Sequence, residues 1–338
     1  MIIKLILAFA ASFALTVLIG RILVPKLRAM KAGQHILEIG PNWHKSKEGT
    51  PTMGGLMFII AIFIVTIIYT IGEIIKGEWS HVFSMLLALL YGGIGFLDDY
   101  EKLKKKQNLG LTAKQKLVLQ LVVAIVFVLA LRLTGNLTTN LYIPFFNVTF
   151  PIPEWLYFVL AAFIIVGCVN AVNLTDGVDG LATGVSMPVM LFYVVVAALL
   201  GYVTLGVFAA AVLGGLAGFL VFNFHPAKVF MGDTGSLFLG GVVCALAFAL
   251  DMPLVLVTLG IVYICETLSD IIQVLYFKLT HGKRFFKMAP LHHHFEMCGW
   301  NEYKVFAVFT AVSLIFAIIS YFGIAGKIII PCRSFIGF

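Results

Sequence analysis

Between two apolar runs, residues 155–172 and 183–202, the chain reads Asn173-Leu-Thr-Asp176-Gly-Val-Asp179-Gly180. Two carboxylates and an amide therefore stand at a membrane boundary or in a wet cavity, because ionisable groups inside lipid are costly and persist where they act or are paired. Three-residue spacing sets Asn173, Asp176 and Asp179 on one face of a helix, whereas Gly177 and Gly180 permit a turn with exposed backbone. In either conformation the oxygens converge. Hard oxygens without thiols or imidazoles at this spacing suit Mg2+ or a hydrogen-bonded polar substrate better than zinc.

Further segments carry related chemistry. Asp98 and Asp99 close the third apolar run and are followed by Lys102, Lys104, Lys105 and Lys106. Adjacent carboxylates repel unless a cation neutralises them, so this is either a solvated helix end or a metal- or proton-handling site. In Asn223-Phe-His225-Pro226-Ala-Lys228-Val-Phe230-Met-Gly232-Asp233-Thr234, Asp233 or Thr234 can be a plain N-cap. Glycine-flanked backbone at a helix N-terminus also receives anions; there Asp233 can hold Mg2+ against a diphosphate while Phe230 stacks on a flat ring. No Walker-type P-loop occurs.

Near residue 50, Lys47 precedes Thr50-Pro51-Thr52-Met-Gly54-Gly55. Thr50 or Thr52 is expected to cap the second span, the glycines let another backbone come close, and Lys47 supplies a cation for a phosphate or carboxylate. Glu266, Asp270 and Gln273 recur at helical spacing and must face protein or water. The basic, aromatic loop after them holds His292, His293 and His294. Consecutive side chains cannot converge as three zinc ligands, so contact with a phosphate or sugar, or proton transfer, fits better.

What positions these groups is a membrane scaffold. The 338 residues are 61% hydrophobic and 12% charged, with a mean hydropathy of +1.05, which excludes a soluble domain. Apolar runs of spanning length lie near 2–24, 53–72, 80–97, 115–132, 155–172, 183–202, 203–222, 235–251, 253–280 and 303–323. The fold expected is a single all-α polytopic domain over 1–338 with about ten transmembrane helices, the first read as an uncleaved span. Residues 253–280 are too long for one simple crossing. Segment 133–154, proline-broken and rich in β-branched and aromatic residues, is expected to form a small external hairpin. The tail 327–338 fits no pattern.

Most of the 23 lysines and arginines fall in alternate loops: 25–52, 98–116, 223–234 and 278–304. Those loops are expected on the cytoplasmic side, as is the 173–182 loop, with both termini external and the polar cleft cytoplasmic. The net charge of +7 is first a topological signal and then a hint of anionic partners; no nucleic-acid module is needed. Five scattered cysteines without a C-x-x-C pair read as small buried hydrophobes. Chemistry at the inner membrane face, between a lipid and a soluble diphosphate nucleotide, is the economical inference.

The motifs Thr50-Pro-Thr-Met-Gly-Gly55, Asp98-Asp99, Asn173-Leu-Thr-Asp176-Gly-Val-Asp179-Gly-Leu181, Phe230-Met-Gly-Asp-Thr-Gly-Ser236 and Ala289-Pro-Leu-His-His-His-Phe-Glu296 resemble, in order, those of the bacterial phospho-N-acetylmuramoyl-pentapeptide-transferases. These sit within the superfamily of polyprenyl-phosphate N-acetylhexosamine-1-phosphate transferases, and the Pro-Thr-Met-Gly-Gly stretch and triple histidine favour the muramoyl branch over the GlcNAc branch. The resemblance implies ten transmembrane helices in the bacterial inner membrane, usually a homodimer, and Mg2+-dependent transfer of phospho-MurNAc-pentapeptide from its UDP carrier to undecaprenyl phosphate, giving lipid I and UMP. By motif, Asp233 would bind Mg2+, Phe230 would stack on uracil, and Asp98 and Asp99 would meet the lipid phosphate, one as the base and either as a possible metal ligand. Lys47, Thr52, Asn173, Asp176, Asp179, Asn223, Gln273 and His294 would line the substrate site, and His292 and His293 would face the substrate phosphate or peptide. The long ninth segment resembles the family's broken helix.

A prenyltransferase of the aromatic-acceptor type would need a third aspartate after Asp98-Asp99, which this sequence lacks. A cation- or proton-coupled transporter would spread carboxylates through midspan from both sides, whereas here they gather at one face, with Glu266 and Asp270 as partial exceptions. For the transferase, direct attack by the lipid phosphate and a two-step route through an aspartyl-phosphate both remain open.

Overall fold

A computed structural model of the chain describes residues 1–30, 49–105 and 110–328. Its helices are α1 (Ile2–Ala29), α2 (Gly55–Ile75), α3 (Ser80–Lys105), α4 (Ala113–Leu133), α5 (Glu154–Thr175), α6 (Leu181–Leu199), α7 (Val203–Asn223), α8 (Gly232–Ala249), α9 (Leu256–Leu259, after a 3-10 turn at Pro253–Val255), α10 (Ile261–Leu279), α11 (Leu291–Glu296) and α12 (Glu302–Gly323). Among the described residues, nine helices are long and apolar enough to cross a membrane. Counted as one span, the over-long ninth segment brings the number to ten. It divides into Pro253–Leu259 and Ile261–Leu279, which meet at 76°. The hinge is Gly260, where a Cβ would lie 2.7 Å from the Leu256 carbonyl oxygen. Beyond it α10 leans away and exposes Leu268, Ile271, Leu275 and Leu279, a surface suited to lipid.

The bundle is organised around α8, which is buried on every side; a helix apolar all round belongs in a core. Without a hydrophobic driving force in lipid, helices associate through close packing at small residues. Gly241 rests on Ala88 of α3 and Gly240 on Val169 of α5. At the N-terminal end, Gly54 and Gly55 donate backbone N–H groups to the carbonyls of Phe230 (2.8 Å) and Met231 (3.0 Å), and Gly55 touches the Gly235 Cα. The expected close backbone approach is thus the seam between the start of α2 and the start of α8. The expected threonine cap on α2 is not formed. Gly54 occupies the N-cap with no side-chain bond, because the first donors of the segment are already taken by the 230–231 carbonyls.

At the opposite end, β1 (Asn140–Ile143) and β2 (Val148–Pro151) form the expected antiparallel hairpin. Thr138 beside it donates to Asp251 Oδ2 at 2.8 Å. Lys327 Nζ donates to the Leu250 and Asp251 carbonyls at 3.2 and 2.6 Å, placing a cation at the C-terminal end of α8 where the helix dipole favours one. Residues 329–338, most of the unexplained tail, lie outside the described residues.

The α3–α8 contact makes a stability prediction. A Cβ at Gly95 would overlap the Asp233 carbonyl, whereas one at Gly93 meets nothing within 4 Å. Gly95→Ala should lower the thermal unfolding midpoint in detergent, by about 1–3 kcal/mol of overpacking. Gly93→Ala should leave it unchanged or raise it slightly, since alanine is the better helix former by about 1 kcal/mol.

Candidate active site

α3 ends in a turn rich in lysine, which suits the negative end of its dipole and lets the helix run past the apolar core to Lys105. Asp98 and Asp99 therefore point from ordered helix at the first turn of α8. Asp99 Oδ2 accepts from the Thr234 N–H (2.9 Å) and hydroxyl (2.7 Å), and Oδ1 from the Asp233 N–H (3.2 Å). The N-cap role expected of Asp233 or Thr234 is thus filled from another helix. Asp99 satisfies two of the orphan N–H donors of α8 and places a negative charge at its positive end. Gly232, in the left-handed region at φ 72°, leaves room for this: a Cβ there would sit 2.6 Å from Asp99 Oδ2 and 2.8 Å from the Thr52 hydroxyl.

With its backbone held in this way, Asp233 turns its carboxylate toward Asp98, and oxygens of Asp98, Asp99 and Asp233 all lie within 4.8 Å of one another. Two ammonium groups stand on this cluster. Lys102, one turn after Asp98, reaches Asp98 Oδ2 at 2.7 Å and Asp233 Oδ2 at 3.0 Å. Lys116 reaches Asp233 Oδ2 at 2.7 Å and Asp98 Oδ2 at 3.7 Å. It comes from the first turn of α4, whose start is fixed by a Thr112–Gln115 capping box. Asn173 Nδ2 holds the other Asp233 oxygen at 2.9 Å, and the Leu111 N–H holds Asp98 Oδ1 at 2.8 Å. Three carboxylates against two ammonium groups leave one negative charge (3 − 2), so the cluster still favours a cation. Its oxygen-only donors suit a hard divalent ion. Asp233 is the most open of the three, with 19% of its side chain exposed against 4% for Asp98 and Asp99.

The 173–180 segment takes the turn conformation rather than a continuous helix. α5 stops at Thr175, Asp176 is its C-cap, and Gly180 is left-handed at φ 73°. Asn173 and Asp176 stay near the triad, and Asp179 turns away. Burial, followed by the neighbouring carboxylates of Asp233, Asp99 and Asp179, raises the Asp176 carboxyl well above the ordinary value. Asp179 is buried; its Oδ2 accepts from the Ala227 N–H (2.9 Å) and pairs with His225 Nδ1 (2.9 Å), while its own N–H donates to Glu302 Oε2 (3.2 Å). It staples three loops together.

The three histidines take different hydrogen-bond partners, although the His292 and His293 rings lie against each other with centroids 4.2 Å apart. His292, fully buried, pairs through Nδ1 with Glu266 Oε2 at 3.0 Å, and its Nε2 is turned against Gly177, where a Cβ would collide with it. His293 Nδ1 pairs with Glu296 at 2.7 Å, and His294 Nδ1 accepts from the Lys287 N–H at 3.1 Å. Gln273 accepts from the N–H groups of Phe285 and Phe286 at 3.1 and 2.9 Å and so pins the loop. Asn223 is buried, donating to the Val229 carbonyl at 3.0 Å and accepting from Thr183 at 3.1 Å. Phe230 and Thr52 are half-buried beside the α2–α8 seam, and Lys47 lies outside the described residues. Of the four described cysteines Cys244 is buried, Cys168 half-buried, and Cys265 and Cys298 exposed.

Sequence reading passed over Lys116 and Glu302, noted Lys102 only as a following charge, and placed Glu266 against protein or water without its partner His292. The i, i+4 spacing of Asp98 and Lys102 was a usable signal. Nothing local pointed to Lys116 and Glu302, whose hydrogen-bond partners Asp233 and Asp179 lie 117 and 123 residues away.

Comparison with known sequences matches the Glycosyl transferase family 4 profile to residues 81–251, which contain the triad, and so defines a membrane-embedded transferase. A profile described as Phospho-N-acetylmuramoyl-pentapeptide-transferase signature 1 matches residues 47–59, the segment running into the α2–α8 seam. The chain is 47% identical over 327 residues to the phospho-N-acetylmuramoyl-pentapeptide-transferase of Caldanaerobacter subterraneus subsp. tengcongensis, covering 96% of this chain and 100% of that protein. It is 46% identical over 310 residues to that of Bacillus subtilis (92% and 94%) and 45% over 318 residues to that of Halalkalibacterium halodurans (94% and 97%). The chain belongs to the phospho-N-acetylmuramoyl-pentapeptide-transferase family.

The geometry separates the two adjacent aspartates. Asp99→Ala strips three hydrogen bonds from the start of α8 and should destabilise by about 2 kcal/mol or more. Asp98→Ala gives up the Leu111 N–H bond and the Lys102 pair but relieves the crowding with Asp233, and should cost about 1 kcal/mol or less. Thermal unfolding of the two variants in the same detergent checks the order; equal losses would contradict it.

Proposed function

We propose that this protein transfers phospho-MurNAc-pentapeptide from UDP-MurNAc-pentapeptide to undecaprenyl phosphate, releasing UMP, with Mg2+, in the bacterial inner membrane. The observation that carries the reading is the Asp98–Asp99–Asp233 cluster with Lys102 and Lys116 laid on its oxygens, at one end of spanning helices. It offers both signs of charge to a diphosphate. The lysine-rich loops around it support a cytoplasmic site. The family resemblance adds a homodimer as the expected assembly.

Asp233, the most open carboxylate, with Asp98 beside it, would hold Mg2+, whose positive charge offsets that of the diphosphate and of the departing UMP. Lys102 and Lys116, already against Asp98 and Asp233, are placed to meet phosphate oxygens and stabilise charge where it develops. Asn173 keeps Asp233 from rotating. Asp99 keeps the start of α8 in place and is too fully engaged to serve as nucleophile or base. An oxygen of the lipid phosphate forms the new bond to the β-phosphorus; the bond from that phosphorus to the bridging oxygen breaks, and UMP leaves with the oxygen. A phosphate monoester has its second pKa near about 6, so the attacking group is already largely ionised and needs little help from Asp98 as a base. Phe230, beside the α2–α8 seam, would stack on the uracil. Asp176 and the 292–294 loop would face the sugar and peptide side, with Glu266 fixing the His292 ring. Asp179, Asn223 and Gln273 would act by holding the loops that form the site.

Detergent-solubilised protein given both substrates and Mg2+ should release UMP; EDTA should stop it, and Asp233→Asn should lower kcat by about 100-fold or more. Release from UDP-GlcNAc in place of the muramoyl substrate would move the reading to the sister branch. Phosphate trapped on the protein with the UDP-sugar alone would replace direct attack by a two-step route.

A further inference from the structure

Deeper in the bundle than the carboxylate cluster, two polar side chains from α4 and α5 bond to each other, a third from α3 bonds to the backbone of one of them, and none bonds to the cluster. Gln120 of α4 and Asn170 of α5 exchange side-chain amide hydrogen bonds: Asn170 Nδ2 donates to Gln120 Oε1 at 2.7 Å, and Gln120 Nε2 to Asn170 Oδ1 at 3.3 Å. Asn170 Nδ2 also donates to the Val166 carbonyl at 2.8 Å. Tyr91 of α3 donates its hydroxyl to the Gln120 backbone carbonyl at 2.8 Å. Tyr91 and Gln120 are fully buried.

Their spacing links them to the site. Gln120 lies four residues beyond Lys116, Asn170 three before Asn173, and Tyr91 seven before Asp98, so each shares a helix face with a cluster residue one or two turns away. Lys116 and Asn173 grip opposite oxygens of the Asp233 carboxylate, at 2.7 and 2.9 Å, from two different helices. Both grips hold only if α4 and α5 keep one register. Apolar packing tolerates a small slide of one helix along another. A reciprocal amide pair does not, because a slide breaks both bonds where no water replaces them.

We propose that the Gln120–Asn170 amide pair, backed by Tyr91, is a positioning device that sets the register of α4 against α5 and so places Lys116 and Asn173 on Asp233. Its kinetic consequence rests on the reaction proposed above; the placement of Lys116 does not. Misplacing a catalytic group by about 1 Å costs on the order of 100-fold in rate.

The test uses full-length protein in detergent with two readouts, UMP release and acetylation of Lys116 by an N-hydroxysuccinimide ester followed by peptide mass spectrometry. Gln120→Leu and Asn170→Leu are expected to lower kcat by about 10- to 100-fold with the donor KM held within about threefold, and to expose Lys116 to severalfold faster acetylation. The swapped pair, Gln120→Asn with Asn170→Gln, should recover most of both. In a Lys116→Ala background, Gln120→Leu should cost less than about threefold, because residues acting through one another are non-additive. Tyr91→Phe, which removes a single hydroxyl, should move both readouts the same way to a smaller degree and serves if a leucine variant fails to fold. Unchanged Lys116 acetylation, or full additivity with Lys116→Ala, overturns the inference. A folded wild type that releases no UMP overturns the reaction instead and leaves the acetylation result to decide the positioning.

Discussion

The architecture depends on one cross-helix cap. A helix buried on all sides has four orphan N–H groups at its start that neither lipid nor core can satisfy. For α8 the Asp99 carboxylate of α3 takes two of these N–H groups, from Asp233 and Thr234, together with the Thr234 hydroxyl, and Lys327 meets the carbonyls at the far end. Both charges oppose the helix dipole with the stabilising sign. The cap also fixes where Asp233 stands, since its backbone is one of the donors and the helix beyond it is locked by glycine contacts with α2, α3 and α5.

From that constraint the site follows as a concentration of unfavourable charge. Asp98, Asp99 and Asp233 crowd together, and Asp176 adds a fourth carboxyl at the C-terminal end of α5, where the helix dipole disfavours a negative charge. Lys102 and Lys116 offset two of the three charges of the Asp98, Asp99 and Asp233 cluster. Local rules of helix capping and charge placement are broken here and kept elsewhere, as at the Thr112–Gln115 capping box, which is the pattern expected of a site selected for chemistry rather than stability. The second cluster, Asp179–His225–Glu302, has a different character: its groups bond to one another and to loop backbone, and it joins the 176–180 turn, the 224–231 loop and the start of α12.

Much of this was legible in the sequence because lipid enforces simple rules. Spans, the hairpin and the broken ninth crossing follow from apolar run length, proline and β-branched content, and the fact that 253–280 exceeds one bilayer. The family was legible from its motifs, and the comparisons bear it out. What escaped were contacts between distant segments. A sequence shows that Asp233 begins a helix, but not that Asp99 caps it from 134 residues away, nor that Lys116 lands on its carboxylate. The thirteen-residue spacing between Asp98 and Leu111 was equally silent, though it closes the loop onto the cluster. Gln273, Asn223 and Asp179 carry the residue types of ligand-binding groups, but in the fold their polar atoms hold loops.

Of the two candidate clusters among the described residues, we propose that Asp98 and Asp233, set by the cap on α8, form the one that takes a hard divalent ion. The most direct measurement is Mn2+ binding to the detergent-solubilised protein by electron paramagnetic resonance, with Mg2+ as competitor and no substrate present. A Mg2+-displaceable Mn2+ is expected that is lost in Asp233→Asn, weakened in Asp98→Asn and retained in Glu302→Gln. Binding that survives Asp233→Asn and disappears with Glu302→Gln would contradict it and move the metal to the Asp179–His225–Glu302 cluster.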